Sequence, residues 1–208
     1  MEVKCRRLEG KVAVVTASTQ GIGLAIAERL GLEGAAVVIS SRKQKNVDEA
    51  VEGLKAKGIT VVGAVCHVSD AQQRKSLIDT AVKDAAPYLR KGSSVIIISS
   101  ITGYNPEQGL AMYGVTKTAL FGLTKALARE VGPNTRVNCI APGFVPTRFA
   151  SFLTTNEAIQ KELVDKTTLN RLGSVQDMAA TAAFLASDDA AFITAETIVV
   201  AGGMPSRL

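Results

Sequence analysis

Apolar residues recur along the chain with two different periods. Lys11–Ala17 (KVAVVTA), Ala35–Ser41 (AAVVISS), Ile59–Cys66 (ITVVGAVC) and Ser93–Ser100 (SSVIIISS) are short runs, rich in β-branched residues and without polar alternation. Such runs predict strands buried on both faces. Arg136–Ile140 and Thr197–Ala201 complete the strand set. Between them the spacing turns helical. Gly21–Glu33 carries Ile22, Leu24, Ile26, Ala27 and Leu30 on one stripe, and Asn46–Lys57 carries Val47, Ala50, Val51 and Leu54 before Gly58 stops it. Asp70 is placed to cap a helix reaching about Val82. Further helices are predicted over Ala111–Val131, Asn156–Lys166 and Val175–Ala186.

Strands that alternate with helices and are apolar throughout indicate an α/β fold. The expected architecture is a doubly wound, mostly parallel sheet with helices on both faces. No internal repeat or linker divides the chain, so residues 1–208 are read as one domain. Sheets of this kind bind ligands at the carboxyl ends of their strands.

Composition narrows the classes. The chain has 208 residues, 47% hydrophobic and 4% aromatic, with no Trp. That is too apolar for a disordered chain and too poor in aromatics for base-stacking modes of nucleic-acid binding. The net charge is +5, but Lys and Arg are scattered singly, so it reads as a solvated surface that also suits an anionic cofactor. Cys5, Cys66 and Cys139 are far apart, and His67 is the single His, so neither a disulfide framework nor a metal site is expected. No apolar run approaches the ~20 residues of a membrane helix, and the first residues are charged. A soluble, intracellular protein without nucleic-acid or membrane partners is the expectation.

Two constellations carry chemistry. The first strand runs into Thr16-Ala17-Ser18-Thr19-Gln20-Gly21-Ile22-Gly23, where a helix begins. Gly21 and Gly23 let backbone approach a pyrophosphate, and the helix start offers free N–H groups to it. Thr16, Ser18, Gln20, Gly21, Ile22 and Gly23 are the candidate contacts. At the end of the second strand, Ser40-Ser41-Arg42-Lys43 contains no acid to bind ribose hydroxyls. Arg42 can fork onto a 2′-phosphate with Ser41 assisting, which favours NADP over NAD. The second constellation is Tyr113-Gly-Val-Thr-Lys117 with Ser100 upstream at a strand end. A spacing of four puts Tyr113 and Lys117 on one helix face. A phenol titrates near ~10 in water, and a neighbouring ammonium lowers that value. Tyr113 is then the expected acid–base group for a carbonyl or alcohol, with the Ser100 hydroxyl holding the reacting oxygen.

Together the glycine loop, Ser100, Tyr113 and Lys117 resemble the short-chain dehydrogenases/reductases, with Ala17 at the first glycine of T-G-x-x-x-G-x-G. The resemblance covers nearly the whole chain and implies a Rossmann-like fold. Within the family it is strongest to the peroxisomal NADP-dependent carbonyl reductase and retinol dehydrogenase group, through the S-S-R-K turn, Cys66-His67-Val68 and the tail A-G-G-M-P-S-R-L. Tropinone-reductase-like proteins are similar too. The resemblance assigns Ser100, Tyr113 and Lys117 to catalysis and adds Tyr113, Lys117, Pro142, Gly143, Val145 and Thr147 to the cofactor contacts. It implies a substrate lid over 148–172, with Phe149, Phe152 and Leu153, and a packing or adenine-edge role for His67. The implied substrate is a small or aromatic ketone, an α-dicarbonyl or retinal, and the usual assembly is a homo-oligomer. Ser206-Arg207-Leu208 resembles the S-K-L address, implying a peroxisomal import receptor as partner, with cytoplasm the alternative location.

One departure stands out. Between the third strand and Ser93–Ser100 the family has two helices and another strand, with an N-A-G turn and an Asn of the proton relay. Here nothing between those points reads as a strand, and no N-A-G occurs. The chain is therefore expected to lack a central strand and helix, roughly 35–50 residues, at a seam near Lys83/Asp84. The missing strand would leave backbone groups unpaired or make its neighbours pair directly. A catalytically impaired shortened form, binding cofactor or full-length subunits without turnover, is the alternative to a working enzyme.

Overall fold

The computed structural model describes residues 5–85, 92–151 and 156–206. Its elements alternate as the periodicity predicts. β1 (Val12–Val15) leads to α1 (Gly21–Leu32), β2 (Ala36–Ser41) to α2 (Gln44–Lys55), and β3 (Val61–Val65) to α3 (Ala71–Ala85). β4 (Ser93–Ile98) is followed by a single 3-10 turn (Ile101–Gly103) and α4 (Ala111–Val131). β5 (Thr135–Pro142), α5 (Glu157–Asp165), α6 (Val175–Ala186) and β6 (Thr197–Val200) complete the described set. All strand pairs are parallel.

The Cα trace divides into two compact units, Met1–Tyr88 and Leu89–Leu208. In the first, the sheet order is β1-β2-β3, with Val12 opposite Ala36 and Val37 opposite Val61. Its core is formed by Val37, Val38 and Ile39 of β2, with Ile26, Ala27 and Leu30 of α1 and Val47 and Leu54 of α2. β2 is buried on both faces because it is the central strand and helices cover it. In the second unit the order is β4-β5-β6. There the core includes the buried Val137, Cys139 and Ile140 of β5 and Met178, Ala182 and Leu185 of α6, a helix in contact with β5.

The expected lack of a central strand appears as two three-stranded sheets in place of one. Among the described residues β1 pairs only with β2, and β4 only with β5. Each sheet therefore ends on a strand whose composition belongs in a sheet interior. Val12 and Val14 of β1 are 39% and 38% exposed, although an all-apolar strand of a parallel sheet is normally covered. Of the two outcomes foreseen for the missing strand, direct pairing of β1 with β4 is not among the ladders of the described residues. α3 continues through Lys83 and Asp84 to Ala85, so the expected seam falls in its last turn. Phe152 and Leu153 of the expected lid, and Arg207 and Leu208 of the terminal tripeptide, lie outside the described residues. No described helix is long and apolar enough to cross a membrane.

Candidate functional site

The first unit carries the glycine loop. Ala17 stands in the left-handed region at φ +51° and Gly21 at +57°. An Ala at that φ is strained, and it stands where the resembled T-G-x-x-x-G-x-G pattern has its first glycine. Gly23 has no such freedom of replacement. A Cβ there would lie 2.5 Å from the Ala17 carbonyl oxygen and 2.9 Å from Ser18 Cα. Ser18 is fully buried and fixes the loop: its hydroxyl donates to the Val15 carbonyl and accepts from Ser40 N–H at 3.1 Å, and its N–H donates to Ser40 O at 2.9 Å. Its side chain thus shapes the cradle from inside.

α1 begins at Gln20 in extended conformation, with no side-chain cap and no acidic residue in its first turn. α5 and α6 are capped by Asn156 and Ser174; α1, like α2 and α4, has no side-chain cap, and its start leaves N–H groups and positive dipole for an anion. At the end of β2, Ser40 Oγ is buried without a hydrogen-bond partner, Ser41 is half-buried and Arg42 is exposed. A backbone cradle that Cβ atoms would fill, an uncapped helix start and an arginine at the next strand end fit a dinucleotide phosphate. His67 is exposed and its Nδ1 accepts from Ser69 N–H, so it does not pack in the interior. Among the described residues no cluster of His, Cys, Asp or Glu can hold a metal.

The second unit carries the candidate acid–base group. Ser100 is buried at the end of β4, where its Oγ accepts from Thr102 N–H at 3.2 Å and from the Thr102 hydroxyl at 2.9 Å. The turn is tied to α4 at three places. Ser99 Oγ donates to Lys117 O at 2.8 Å and Thr118 Oγ1 to Gly103 O at 2.6 Å. Gly114 lies so close that a Cβ on it would sit 3.0 Å from Thr102 O and 2.9 Å from Pro106. These contacts place the first two turns of α4, with Tyr113 and Lys117, beside Ser100. Lys117 Nζ donates to Ile98 O at 3.0 Å and lies 5.5 Å from the Tyr113 ring centroid, within cation–π range. The Phe149 ring tilts against Tyr113 with centroids 5.7 Å apart.

The electrostatics differ from the expectation in one respect. Burial pushes the Tyr113 phenol above its ordinary value, and the hydrogen bond with Ser100 pulls it partly back. Burial likewise pulls the Lys117 ammonium down. The ammonium is half-buried and directed at the Ile98 carbonyl, so dehydration of the phenol dominates over it. Of the residues expected after β5, Pro142 and Val145 are buried, and Thr147 is half-buried. Gly143 N–H donates to Val200 O at 2.9 Å, and a Cβ there would meet Ala201 Cα at 2.9 Å. Thr102, Ser99, Thr118 and Gly114 were not singled out from the sequence. The available signal was the Ser-x-Thr at the strand end, a pattern in which side chains bond local backbone.

A parallel α/β fold, a glycine cradle after the first strand and a Ser–Tyr–Lys group at the next unit's first strand define a class: oxidoreductases that use a nicotinamide dinucleotide. Two family profiles match the chain, "short chain dehydrogenase" over residues 11–88 and "Enoyl-(Acyl carrier protein) reductase" over residues 80–205. The chain is 60% identical to tropinone reductase-like 3 of Erythroxylum coca, over 98% of this chain and 96% of that one. It is 43% identical to human dehydrogenase/reductase SDR family member 4, over 97% and 90%. A solved short-chain dehydrogenase/reductase from Brucella melitensis superposes with a TM-score of 0.91 at 26% identity, over 97% and 99%. The chain belongs to the short-chain dehydrogenase/reductase family. It is also a shortened member. The alignment with the coca protein runs over 248 positions against 208 residues, leaving at least 40 positions without a counterpart. The two profiles meet at residues 80–88, around the seam expected from the sequence.

Proposed function

We propose that the protein interconverts carbonyl compounds and secondary alcohols with NADP(H), Tyr113 serving as acid and base. The observation that carries this reading is the Ser100–Tyr113–Lys117 group, assembled within one unit with the phenol bonded to a serine that is itself held by two donors. When bound, the nicotinamide supplies the hydride, or accepts it in reverse. In reduction Tyr113 gives its proton to the carbonyl oxygen, and Ser100 donates a hydrogen bond to that same oxygen as charge develops on it. In oxidation the phenolate takes the alcohol proton, and Lys117 stabilises that phenolate across the ring face. Thr16, Gln20, Gly21, Ile22 and Gly23 offer backbone and side chain to the pyrophosphate.

NADP, as against NAD, is supported by Arg42 and Ser41 at the end of β2 and by the lack of an acid in residues 40–43. A small ketone, an α-dicarbonyl or retinal is the proposed substrate, with no nucleic-acid or membrane partner. Delivery to the peroxisome through Ser206-Arg207-Leu208 belongs to the same proposal. Deleting those three residues tests delivery: a tagged protein that stays peroxisomal without them refutes it. Cofactor choice is tested by titrating NADPH and NADH into the protein. NADPH is expected to bind more tightly, and Arg42→Ala to weaken it about tenfold, about 1.4 kcal/mol, while leaving NADH unchanged. Equal affinity for both cofactors in the wild type refutes the NADP reading.

A further inference from the structure

We infer that Thr102 is a positioning residue for the reaction: its hydroxyl and its N–H both donate to Ser100 Oγ, so that the Ser100 proton is left for the oxygen at Tyr113. The inference rests on the Ser100–Tyr113 reading above and names a member of the site that lies outside the Ser–Tyr–Lys set. A serine hydroxyl has two acceptor lone pairs and one proton. Thr102 N–H at 3.2 Å and Thr102 Oγ1 at 2.9 Å occupy both lone pairs. The remaining proton then points one way, toward the phenol oxygen or the substrate oxygen that replaces it as acceptor. A free hydroxyl rotor would spend part of its time accepting instead, and would have to turn before each proton transfer. Thr102 removes that choice in advance, which is the value of a preorganised donor.

The surroundings make Thr102 able to do this. Its residue is 4% exposed, so water does not compete for the Ser100 lone pairs. Its carbonyl lies against Gly114, the residue after Tyr113, where only a missing Cβ permits the approach. The same residue thus sets the distance of the phenol-bearing helix and the direction of the serine proton. The polar chain runs from Thr102 to Ser100 to Tyr113, each hydroxyl donating forward to the next, and it favours the phenolate at its end. The other titratable or charged groups nearby are Lys117 on α4, Cys139 on β5, which acts on Lys117 and whose thiol burial pushes up, Tyr104, stacked on Phe121, and Arg148 beside Phe149.

The test is the ionisation of Tyr113, followed by phenolate absorbance in rapid pH jumps and assigned by subtracting the Tyr113→Phe titration. Thr102→Val is expected to move it upward by roughly half a unit or more, a shift of the size a weakened hydrogen bond gives. Thr102→Ser, which keeps the hydroxyl, is expected to restore the wild-type value. In a Ser100→Ala background the Thr102→Val shift is expected to vanish, since Thr102 acts only through Ser100. In turnover, Thr102→Val is expected to lower kcat with KM for the cofactor unchanged. An unchanged ionisation in Thr102→Val, an equal shift in Thr102→Ser, or a shift that persists without Ser100 overturns the inference. If Thr102→Val does not fold, Thr102→Cys, a weaker donor of similar shape, must show a smaller upward shift or the inference fails. The phenolate titration needs no turnover. Its success in a chain that reduces no carbonyl would uphold the inference and refute the proposed function alone.

Discussion

At the scale of single residues, backbone constraint and burial decide how the motif works. Ser100, Tyr113 and Lys117 can be picked out by type and spacing, and the structure brings them together; Gly21 and Gly23 stand at a turn that requires them. What the sequence could not convey is the balance of forces on them. Lys117 next to Tyr113 suggests a lowered phenol, whereas the structure buries the ring and raises it. A raised value keeps the phenol protonated through neutral pH. Carbonyl reduction is therefore expected to be flat across neutral pH and to fall only above the ordinary phenol range near ~10. Alcohol oxidation, which needs the phenolate, is expected to rise with pH over the same span. Initial rates in both directions against pH check this, and a reduction rate that already falls at neutral pH contradicts it. The loop offers a paired test. Gly23→Ala drives a Cβ into the Ala17 carbonyl and is expected to weaken NADPH binding at least tenfold. Ala17→Gly relieves a left-handed alanine and is expected to leave binding intact and raise stability by up to about 1 kcal/mol. Calorimetry and thermal unfolding read both.

At the scale of elements, hydrophobic period and capping chemistry were nearly sufficient. α4 spans Ala111–Val131 as its spacing predicts, and Asp70 Oδ1 accepts from Gln73 N–H at 2.9 Å at the start of α3. β5 came out longer than its predicted run Arg136–Ile140, at Thr135–Pro142, whereas β1 keeps only Val12–Val15 of the run Lys11–Ala17, because the left-handed Ala17 turns the chain out of the strand while β2 continues to Ser41. The cap of α6 was not singled out, although Ser174-x-x-Asp177 is a capping-box spacing; what the spacing does not show is that Arg171, outside the helix, also holds the acid. Asp177 accepts from Ser174 N–H and Oγ and from both Arg171 nitrogens, which hold its carboxyl well below the usual range. A lowered folded value means stability that is present above the unfolded pKa, near ~3.9, and lost as pH falls through the folded one. Asp177→Asn is expected to cost about 1 kcal/mol at neutral pH, with the difference from wild type shrinking below pH ~4. Chemical denaturation at several pH values measures it, and a cost that is the same at acid and neutral pH contradicts the assignment.

At the scale of the whole molecule, chain length carried more information than composition. The class of fold was legible because all six strands keep their apolar runs. The division into two sheets was foreshadowed only by a missing run between Cys66 and Ser93, a region whose polar helix gives no sign of how neighbouring strands respond. The strand order within each sheet has a measurable consequence. Amides of β1 and β4 that do not donate to β2 or β5 are expected to exchange with solvent far faster than the amides of β2 and β5. Uniform protection across all four strands would mean that the edges are paired after all. The central claim is that the Ser100–Tyr113–Lys117 group, retained in a shortened chain, reduces carbonyls with NADPH. It is tested most directly by the loss of nicotinamide absorbance on mixing the purified protein with NADPH and a small α-diketone, beside its Tyr113→Phe variant. Consumption of NADPH is expected, falling at least a hundredfold in Tyr113→Phe, in line with the loss of a general acid. No consumption above background in the wild type, or an equal rate in the variant, would contradict it.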